Sequence, residues 1–272
     1  MQNKQIAKEA RESLKNNFKK SLIIFLLYAV IFNITSFIKT PLLKAIIAIA
    51  LIVIYPALAY GLIISFTKIH KKENVKILDF IILGFQNFTK AWHIIFRIFL
   101  KLWPQILTSV VINILTLILT IPLLGRISLD TALNVNIRTL YILIWTYSLI
   151  LFFIIVYLTI VYPKSLYYTF SNYIMIDTNN SITAKEAVEK SIELMGNNRL
   201  KYFKLVLSFV GWYLLVVLIG TIISLIISFI IYTVSPYLIA RILGIVFSAF
   251  ISSYMQTANI HFYEALKQEN NN

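Results

Sequence analysis

A basic stripe in the segment "AWHIIFRIFLKLWPQ" is the feature of this sequence that comes nearest to chemistry. His93, Arg97 and Lys101 follow one another at intervals of four residues, so a helix places all three on one face. Charged side chains inside a bilayer are costly, and they mark routes for ions and substrates. If the helix already spans the membrane here, the stripe is a candidate polar pathway for an anion or a peptide.

A second interpretation of the same segment needs no pathway. Residues 91–102 then lie flat in the membrane interface, and the span begins at Trp103, with Pro104 at a favoured first-turn position. We favour this interpretation, although the repeat described below places the span directly after Lys90. Asn113, in the apolar run that follows, is included in the candidate pathway. A hydrogen bond between helices is the simpler role for this small polar side chain.

Catalytic and metal-binding motifs are missing from the sequence. It has no G-x-x-x-x-G-K, H-E-x-x-H or G-x-S-x-G segment, and it has no Cys. The apolar segments hold no Asp or Glu away from their ends, and His70, His93 and His261 lie in three different regions of the chain. We therefore expect no catalytic residues, no cofactor and no metal site, in a protein that is not an enzyme.

The composition is that of a multi-pass membrane protein. Of the 272 residues, 59% are hydrophobic and only 13% are charged, against about half and about a quarter in soluble domains. The net charge of +14 comes from cations that cluster between the apolar blocks, as juxtamembrane residues do. No segment between the blocks is long enough to build the basic surface of a soluble nucleic-acid-binding domain. The expected partner is a lipid bilayer, and not nucleic acid.

Six apolar segments are long enough to cross a hydrocarbon core of about 30 Å, which takes roughly 20 helical residues. They cover residues 21–38, 42–66, 103–124, 139–163, 205–234 and 242–261. With the N-terminus inside, 20 of the 25 Lys and Arg residues fall on cytoplasmic segments, as the positive-inside rule requires. The predicted fold is an all-α membrane protein with six transmembrane helices and both termini in the cytoplasm.

Three segments on the predicted cytoplasmic side share an entry motif. "ESLKNNFKKSLIIF" begins at Glu12, "ELMGNNRLKYFKLV" begins at Glu193, and "GFQNFTKAWHIIF" (84–96) is a looser third copy. Each copy places Asn, cations and aromatic residues directly before an outgoing span. Within a single polytopic domain, 1–272, the copies predict three pseudo-repeats, 1–66, 76–163 and 183–263. Convergence among similar inward loops is the alternative explanation.

An amphipathic helix is expected ahead of each copy of the motif. In the first helix, apolar residues recur every four positions, at Ile6, Ala10, Leu14, Phe18 and Leu22. In the last, Thr183 and Glu186 have the spacing of a capping box. Such helices lie in the interface plane, with their cations toward anionic lipid head groups. The candidate membrane-surface anchors are Lys15, Lys19, Lys20, Arg199, Lys201, Lys204, Trp103 and Trp212.

The beginning of the chain, the last entry motif and the end of the chain carry a family resemblance. These stretches are "AKEARESLKNNFKKSLIIFLL" (7–27), "ELMGNNRLKYFKLVLSFVGWYLL" (193–215) and "YMQTANIHFYEALK" (254–267). Together they resemble an uncharacterised family of bacterial integral membrane proteins, domain-of-unknown-function family 975. The sequence departs from that family in having Ser253 where a Pro is expected. The resemblance implies a multi-pass protein of the bacterial cytoplasmic membrane, and it brings no known catalytic or ligand-binding residues.

The expected function is association without catalysis. The leading hypothesis is a non-enzymatic protein that assists a membrane complex such as an exporter, or that gives immunity or resistance to a membrane-active peptide. The alternative is a small-molecule or peptide transporter or channel that uses the cationic helix face. The lack of carboxylates inside the spans argues against proton or sodium coupling through acidic relays.

Overall fold

The described part of the chain is helical throughout. The computed structural model describes residues 3–15, 17–129, 135–179, 181–230 and 236–271. The long helices are α2 (Phe18–Asn33), α3 (Pro41–His70), α5 (Phe88–Leu129), α6 (Val135–Val156), α10 (Arg199–Ile230) and α11 (Pro236–Asn271). The short helices are α1 (Asn3–Lys15), α4 (Asp79–Gln86), α7 (Tyr162–Ser165), α8 (Ser171–Asp177) and α9 (Ala184–Met195). Single turns of 3₁₀ or π-helix cover Ile34–Phe37, Tyr157–Val161 and Leu166–Tyr168.

Six helical runs in these residues are long and apolar enough to cross a membrane, which confirms the predicted number of spans. The runs are Phe18–Phe37, Pro41–His70, Phe88–Pro122, Thr139–Asp177, Arg199–Ile227 and Leu238–Asn270. Most of them continue past the predicted spans at one end, where the sequence turns basic or aromatic. Residues 231–234 of the predicted fifth span, and residues 130–134 before the fourth, lie outside the described part of the chain.

The third run corrects one part of the favoured interpretation of the basic stripe, and whether these residues lie in the membrane interface stays a prediction. Helix α5 is continuous from Phe88, so residues 91–102 are not a separate helix, and Pro104 lies inside α5 and not in a first turn. Neighbouring groups in a transmembrane helix compensate for the hydrogen bond that a proline removes. The 42 residues of α5 extend over about 63 Å, roughly twice the thickness of the hydrocarbon core. A membrane-spanning α5 therefore continues well beyond the hydrocarbon.

The helices group into two units, residues 1–95 with 170–272, and residues 96–169. In the first unit, α11 is the central helix and packs against α1, α2, α3, α9 and α10. Its stretch from Thr257 to Ile260 is buried at every position, which requires neighbours on all sides. We use the name helical layer for α1, α8, α9 and residues 257–266 of α11, with the adjoining ends of α2, α3 and α10.

Helix α1 packs its apolar stripe against other helices of the protein. Ile6, Ala10 and Leu14 are 1%, 0% and 4% exposed, and α1 contacts α2, α10 and α11. The Tyr254 hydroxyl of α11 donates a hydrogen bond to the Ala7 carbonyl. The predicted amphipathic stripe is therefore present from Ile6 to Leu14, and its apolar side packs against α11 and the helices beside it. Phe18 and Leu22, the other predicted members, belong to α2.

Helix α9 begins with the predicted capping box. The Glu186 N–H donates to Thr183 Oγ1 at 3.3 Å, and the Thr183 N–H donates to Glu186 Oε2 at 2.7 Å. The pKa of Glu186 is lowered because its carboxylate accepts hydrogen bonds from the Thr183 backbone N–H and then from the Thr183 hydroxyl. The apolar side of α9, with Ala187, Val188 and Met195 at 1% exposure or less, is buried in the helical layer.

Three short helices are joined to long ones through an asparagine with the same backbone bonding. Asn17, Asn87 and Asn198 each donate the backbone N–H to the carbonyl three residues earlier, at 3.0–3.1 Å. Each also accepts at its own carbonyl the N–H of the residue four positions later, at 3.0 Å. The residues seven positions after these asparagines are fully buried, namely Ile24, Ile94 and Leu205. A three-unit repeat requires such equivalent joints, and the repeat itself stays a prediction.

Helices α3 and α4 approach each other backbone to backbone at two glycines. A Cβ atom on Gly61 would lie 1.9 Å from the carbonyl oxygen of Phe80, and one on Gly84 would lie 2.4 Å from the carbonyl oxygen of Ala57. No side chain fits at such distances without moving a backbone. The α3–α4 contact therefore depends on glycine at both positions.

We expect Gly61→Ala and Gly84→Ala each to lower the free energy of unfolding by about 2 kcal/mol, because an added methyl group overpacks the contact. Gly211→Ala is the matched control, since a Cβ there meets nothing within 4 Å and alanine favours the helix. Thermal unfolding of the purified protein in detergent provides the measurement. Equal melting temperatures for all three variants would contradict the close contact.

Candidate functional site

The predicted basic stripe forms on the outer surface of α5. His93, Arg97 and Lys101 are all exposed, and one helix places them on a common face. Among the residues that the structure describes, no ion pair or hydrogen bond is found for these three side chains. The amide oxygen of Asn113 is buried and has no hydrogen-bond partner among them either. Within the described part of the chain this oxygen thus does not make the expected bond between helices, and the polar pathway stays a prediction.

Most of the predicted surface anchors are accessible. Exposed side chains include Lys15, Lys19, Lys201, Lys204, Trp103 and Trp212, whereas Lys20 and Arg199 are half-buried. Lys201 forms an ion pair with Glu269 at 3.5 Å, and the Arg199 Nε–H donates to the Gly196 carbonyl at 3.3 Å. These two cations therefore also hold the local structure, and anchoring to lipid stays a prediction for the whole group.

An aromatic cluster fills the helical layer beside α11. Its rings lie with centroids between 5.3 and 5.9 Å apart in the contacting pairs, and its members are Phe170, Tyr173, Tyr202, Phe262 and Tyr263. Such packing combines a large buried apolar area with favourable edge-to-face contacts. The cluster joins α8 and the residue before it, the start of α10 and the last third of α11.

The polar groups of this cluster are hydrogen-bonded. The Tyr202 hydroxyl donates to Asn259 Oδ1 at 3.2 Å, and Gln256 Nε2 donates to the Tyr173 hydroxyl at 2.8 Å. At the edge of the layer, Lys267 Nζ lies 2.5 Å from an Asp177 carboxylate oxygen. The cluster is thus a satisfied structural core, and it leaves no obvious reactive group free.

A second polar group, the histidine cluster, lies where α1, α3 and α11 meet. It consists of His70, His261 and Glu264, with Glu9 and Ser13 next to them. His70 Nε2 is 2.7 Å from Glu264 Oε2, and the two imidazole rings are 4.6 Å apart at an angle of 88°. His261 Nε2 is 3.1 Å from Ser13 Oγ, and its Nδ1 is 3.7 Å from Glu9 Oε2. Two imidazoles and a carboxylate are a donor set that holds transition-metal ions in proteins.

The stretches that carried the family resemblance meet around these two clusters. Tyr202 comes from the last entry motif, whereas Phe262, Tyr263 and Glu264 come from the closing motif. The sequence model of the family described as "Protein of unknown function (DUF975)" matches residues 1–270. The chain belongs to this family. No curated protein and no solved structure matches the chain.

Sequence reasoning about this DUF975 protein missed the histidine cluster. His70 and His261 are 191 positions apart in the sequence, and the sequence analysis placed them in separate regions. The available signal was the pair His261 and Glu264, which three-residue spacing places on one helix face. Nothing in the sequence shows that His70, the last residue of α3, meets that face.

We expect Tyr202→Phe to lower the free energy of unfolding by about 1–2 kcal/mol, because it leaves the buried Asn259 oxygen without this hydrogen bond. Tyr147→Phe, which removes a hydroxyl from a side chain that is 68% exposed, is the matched control. Thermal unfolding in detergent measures both. A melting temperature of Tyr202→Phe as high as that of Tyr147→Phe would show that the bond contributes nothing.

Proposed function

We propose that this protein is a non-enzymatic protein of the bacterial cytoplasmic membrane that acts by association, with both termini in the cytoplasm. Its partner is another membrane complex, such as an exporter, or a membrane-active peptide against which it protects the cell. The basic helix face and the surface anchors hold it against anionic head groups on the cytoplasmic side.

The observation that carries this proposal is the position of the basic face on the outer surface of α5. Surface cations that have no ion-pair partner in the described ranges are available to an acidic partner or to lipid, whereas a transport route needs polar groups around an internal passage. The length of α5 favours the same role. About half of its length of about 63 Å exceeds the hydrocarbon core. The stripe lies near the first residue of α5, so it can lie at the level of the head groups.

The apolar surface of the spans supports association as well. Large side chains project from α5 and α10 with little cover, for example Leu119 at 72%, Leu214 at 66% and Phe229 at 77% exposure. In the bilayer such surfaces contact lipid or the helices of a second protein, and close packing drives helix association there. A protein with this surface needs no reactive group in order to act on a partner.

Cysteine labelling tests the side and the accessibility of the basic face. The chain has no Cys, so Arg97→Cys and Lys101→Cys each give one reactive position for a membrane-impermeant thiol reagent. We expect labelling in inverted vesicles and none in intact cells, because the face lies at the cytoplasmic head groups. Lys15→Cys reports the side of the N-terminus, and Leu119→Cys, within the apolar part of α5, is expected to stay unlabelled.

The outcomes of this labelling separate the two functional hypotheses. Labelling of positions 97 and 101 from both sides would mean a water-filled route past them, which would overturn association and favour a transporter. Labelling of Lys15→Cys in intact cells would instead show that the N-terminus lies outside and that the proposed orientation is wrong.

A genetic experiment tests association itself. We expect deletion of the gene to change exporter activity or sensitivity to a membrane-active peptide. Re-expressed wild type and Arg97→Lys/Lys101→Arg should restore the original behaviour, whereas Arg97→Glu/Lys101→Glu should restore less than about a tenth of it, because two opposite charges repel an acidic partner. Equal amounts of each variant in the membrane are the control. A deletion that alters neither activity nor sensitivity would refute the proposal.

A further inference from the structure

The histidine cluster has the composition and the compactness of a metal-binding site. One potential ligand atom from each of His70, His261 and Glu264 lies within 4.8 Å of the other two. In a tetrahedral zinc site the ligand atoms are about 3.3 Å apart. The side chains therefore need to close by no more than about 1.5 Å, a distance that rotation of the half-exposed Glu264 helps to supply.

The contact between His70 and Glu264 shows which edge of the His70 ring a cation would use. His70 Nε2 lies 2.7 Å from Glu264 Oε2, so an ion bound by both atoms would take the place of the proton between them.

The surroundings of His261 match the outer shell of a metal site. Histidine ligands of metals nearly always have their second ring nitrogen next to a carboxylate, a carbonyl or another polar group that fixes the ring. Glu9 of α1 takes that place beside Nδ1 of His261. Nε2 is then the ligand nitrogen, and an ion there would displace the Ser13 hydroxyl that lies next to it. The carboxylates of Glu9 and Glu264 also offset the charge of a divalent ion, and Lys71 is the cation closest in the chain.

We infer that His70, His261 and Glu264 bind a divalent transition-metal ion of the Zn²⁺ type, with Glu9 positioning the His261 ring. Two imidazoles with one carboxylate select Zn²⁺, Co²⁺ or Ni²⁺ over Mg²⁺ and Ca²⁺, which prefer oxygen ligands alone. The ion would join the end of α3 to α11, and through Glu9 it would hold α1 in place. This inference stands independently of the proposed association function.

Zinc uptake by the purified full-length protein tests the inference. The protein is purified in detergent through an affinity tag that contains no histidine, stripped with EDTA and titrated with Zn²⁺ or, separately, with Mg²⁺. We expect one Zn²⁺ per chain, no comparable Mg²⁺ binding, and a melting temperature that rises with Zn²⁺ alone, because an ion that binds only the folded state stabilises it. No zinc uptake by the wild type would overturn the site.

Matched variants locate the ion. His261→Gln and Glu264→Gln are expected to weaken Zn²⁺ binding by at least about 100-fold, and Glu9→Gln by roughly 10-fold, as loss of an outer-shell partner does. His93→Gln is the control, since His93 is exposed and lies outside the cluster. Equal weakening by His93→Gln, or full binding by His261→Gln, would refute the assignment.

Cobalt provides a measurement on the wild type that does not depend on how the variants fold. Co²⁺ bound to imidazole and carboxylate ligands in a site with four or five ligands absorbs visible light more strongly than hydrated Co²⁺. We expect this absorption to appear with one equivalent of Co²⁺ and to disappear when Zn²⁺ is added. A spectrum that remains that of the hydrated ion would overturn the inference even if every variant failed to fold.

Discussion

Residues 257–266 of α11 carry polar and aromatic side chains on several sides of the helix, and most of these side chains have to be covered. Thr257, Asn259 and Tyr263 point in different directions, yet each is less than a tenth exposed. Covering them takes α1, the ends of α2, α3 and α10, and the short helices α8 and α9. Each of these helices contributes a small or apolar side to the packing and a polar one to the surface. The helical layer is the result of that single requirement.

Hydrophobic length and periodicity predicted much of this architecture. The apolar blocks gave six spans, the four-residue spacing of Ile6, Ala10 and Leu14 gave α1, and Thr183 with Glu186 gave the start of α9. These predictions were correct because they depend on local geometry, in which each residue acts with neighbours a few positions away. What the stripe of α1 would pack against was not predictable, since lipid and a protein helix attract apolar residues equally well.

The sequence was a poorer guide wherever the outcome depended on distant neighbours. Pro104 resembled the beginning of a helix, but apolar residues on both sides keep α5 helical through it. The contact between Gly61 and Gly84 shows up in the sequence only as two glycines among many apolar residues. His70 and His261 meet because α3 ends where α11 is surrounded, and no periodicity encodes that meeting. Sites made by tertiary contacts need the tertiary structure to be found.

Family membership adds a physical meaning to the motifs without adding an activity. The opening, the last entry motif and the closing motif all contribute to the helical layer. Tyr202, Phe262 and Tyr263 of these motifs are buried there, so in this chain they serve the packing of helices.

The contact between the first helix and the last one sets an order of events during synthesis. Tyr254 and Ala7 are separated by 247 positions, and a ribosome that adds about 5–20 residues per second needs about 10 to 50 s to make that length of chain. Throughout that interval the apolar stripe of α1 has no α11 to pack against. A basic amphipathic helix in that situation binds the nearest apolar boundary, which is the membrane surface. We therefore expect the first helix to lie on lipid during synthesis and to pack against protein only after α11 has been made.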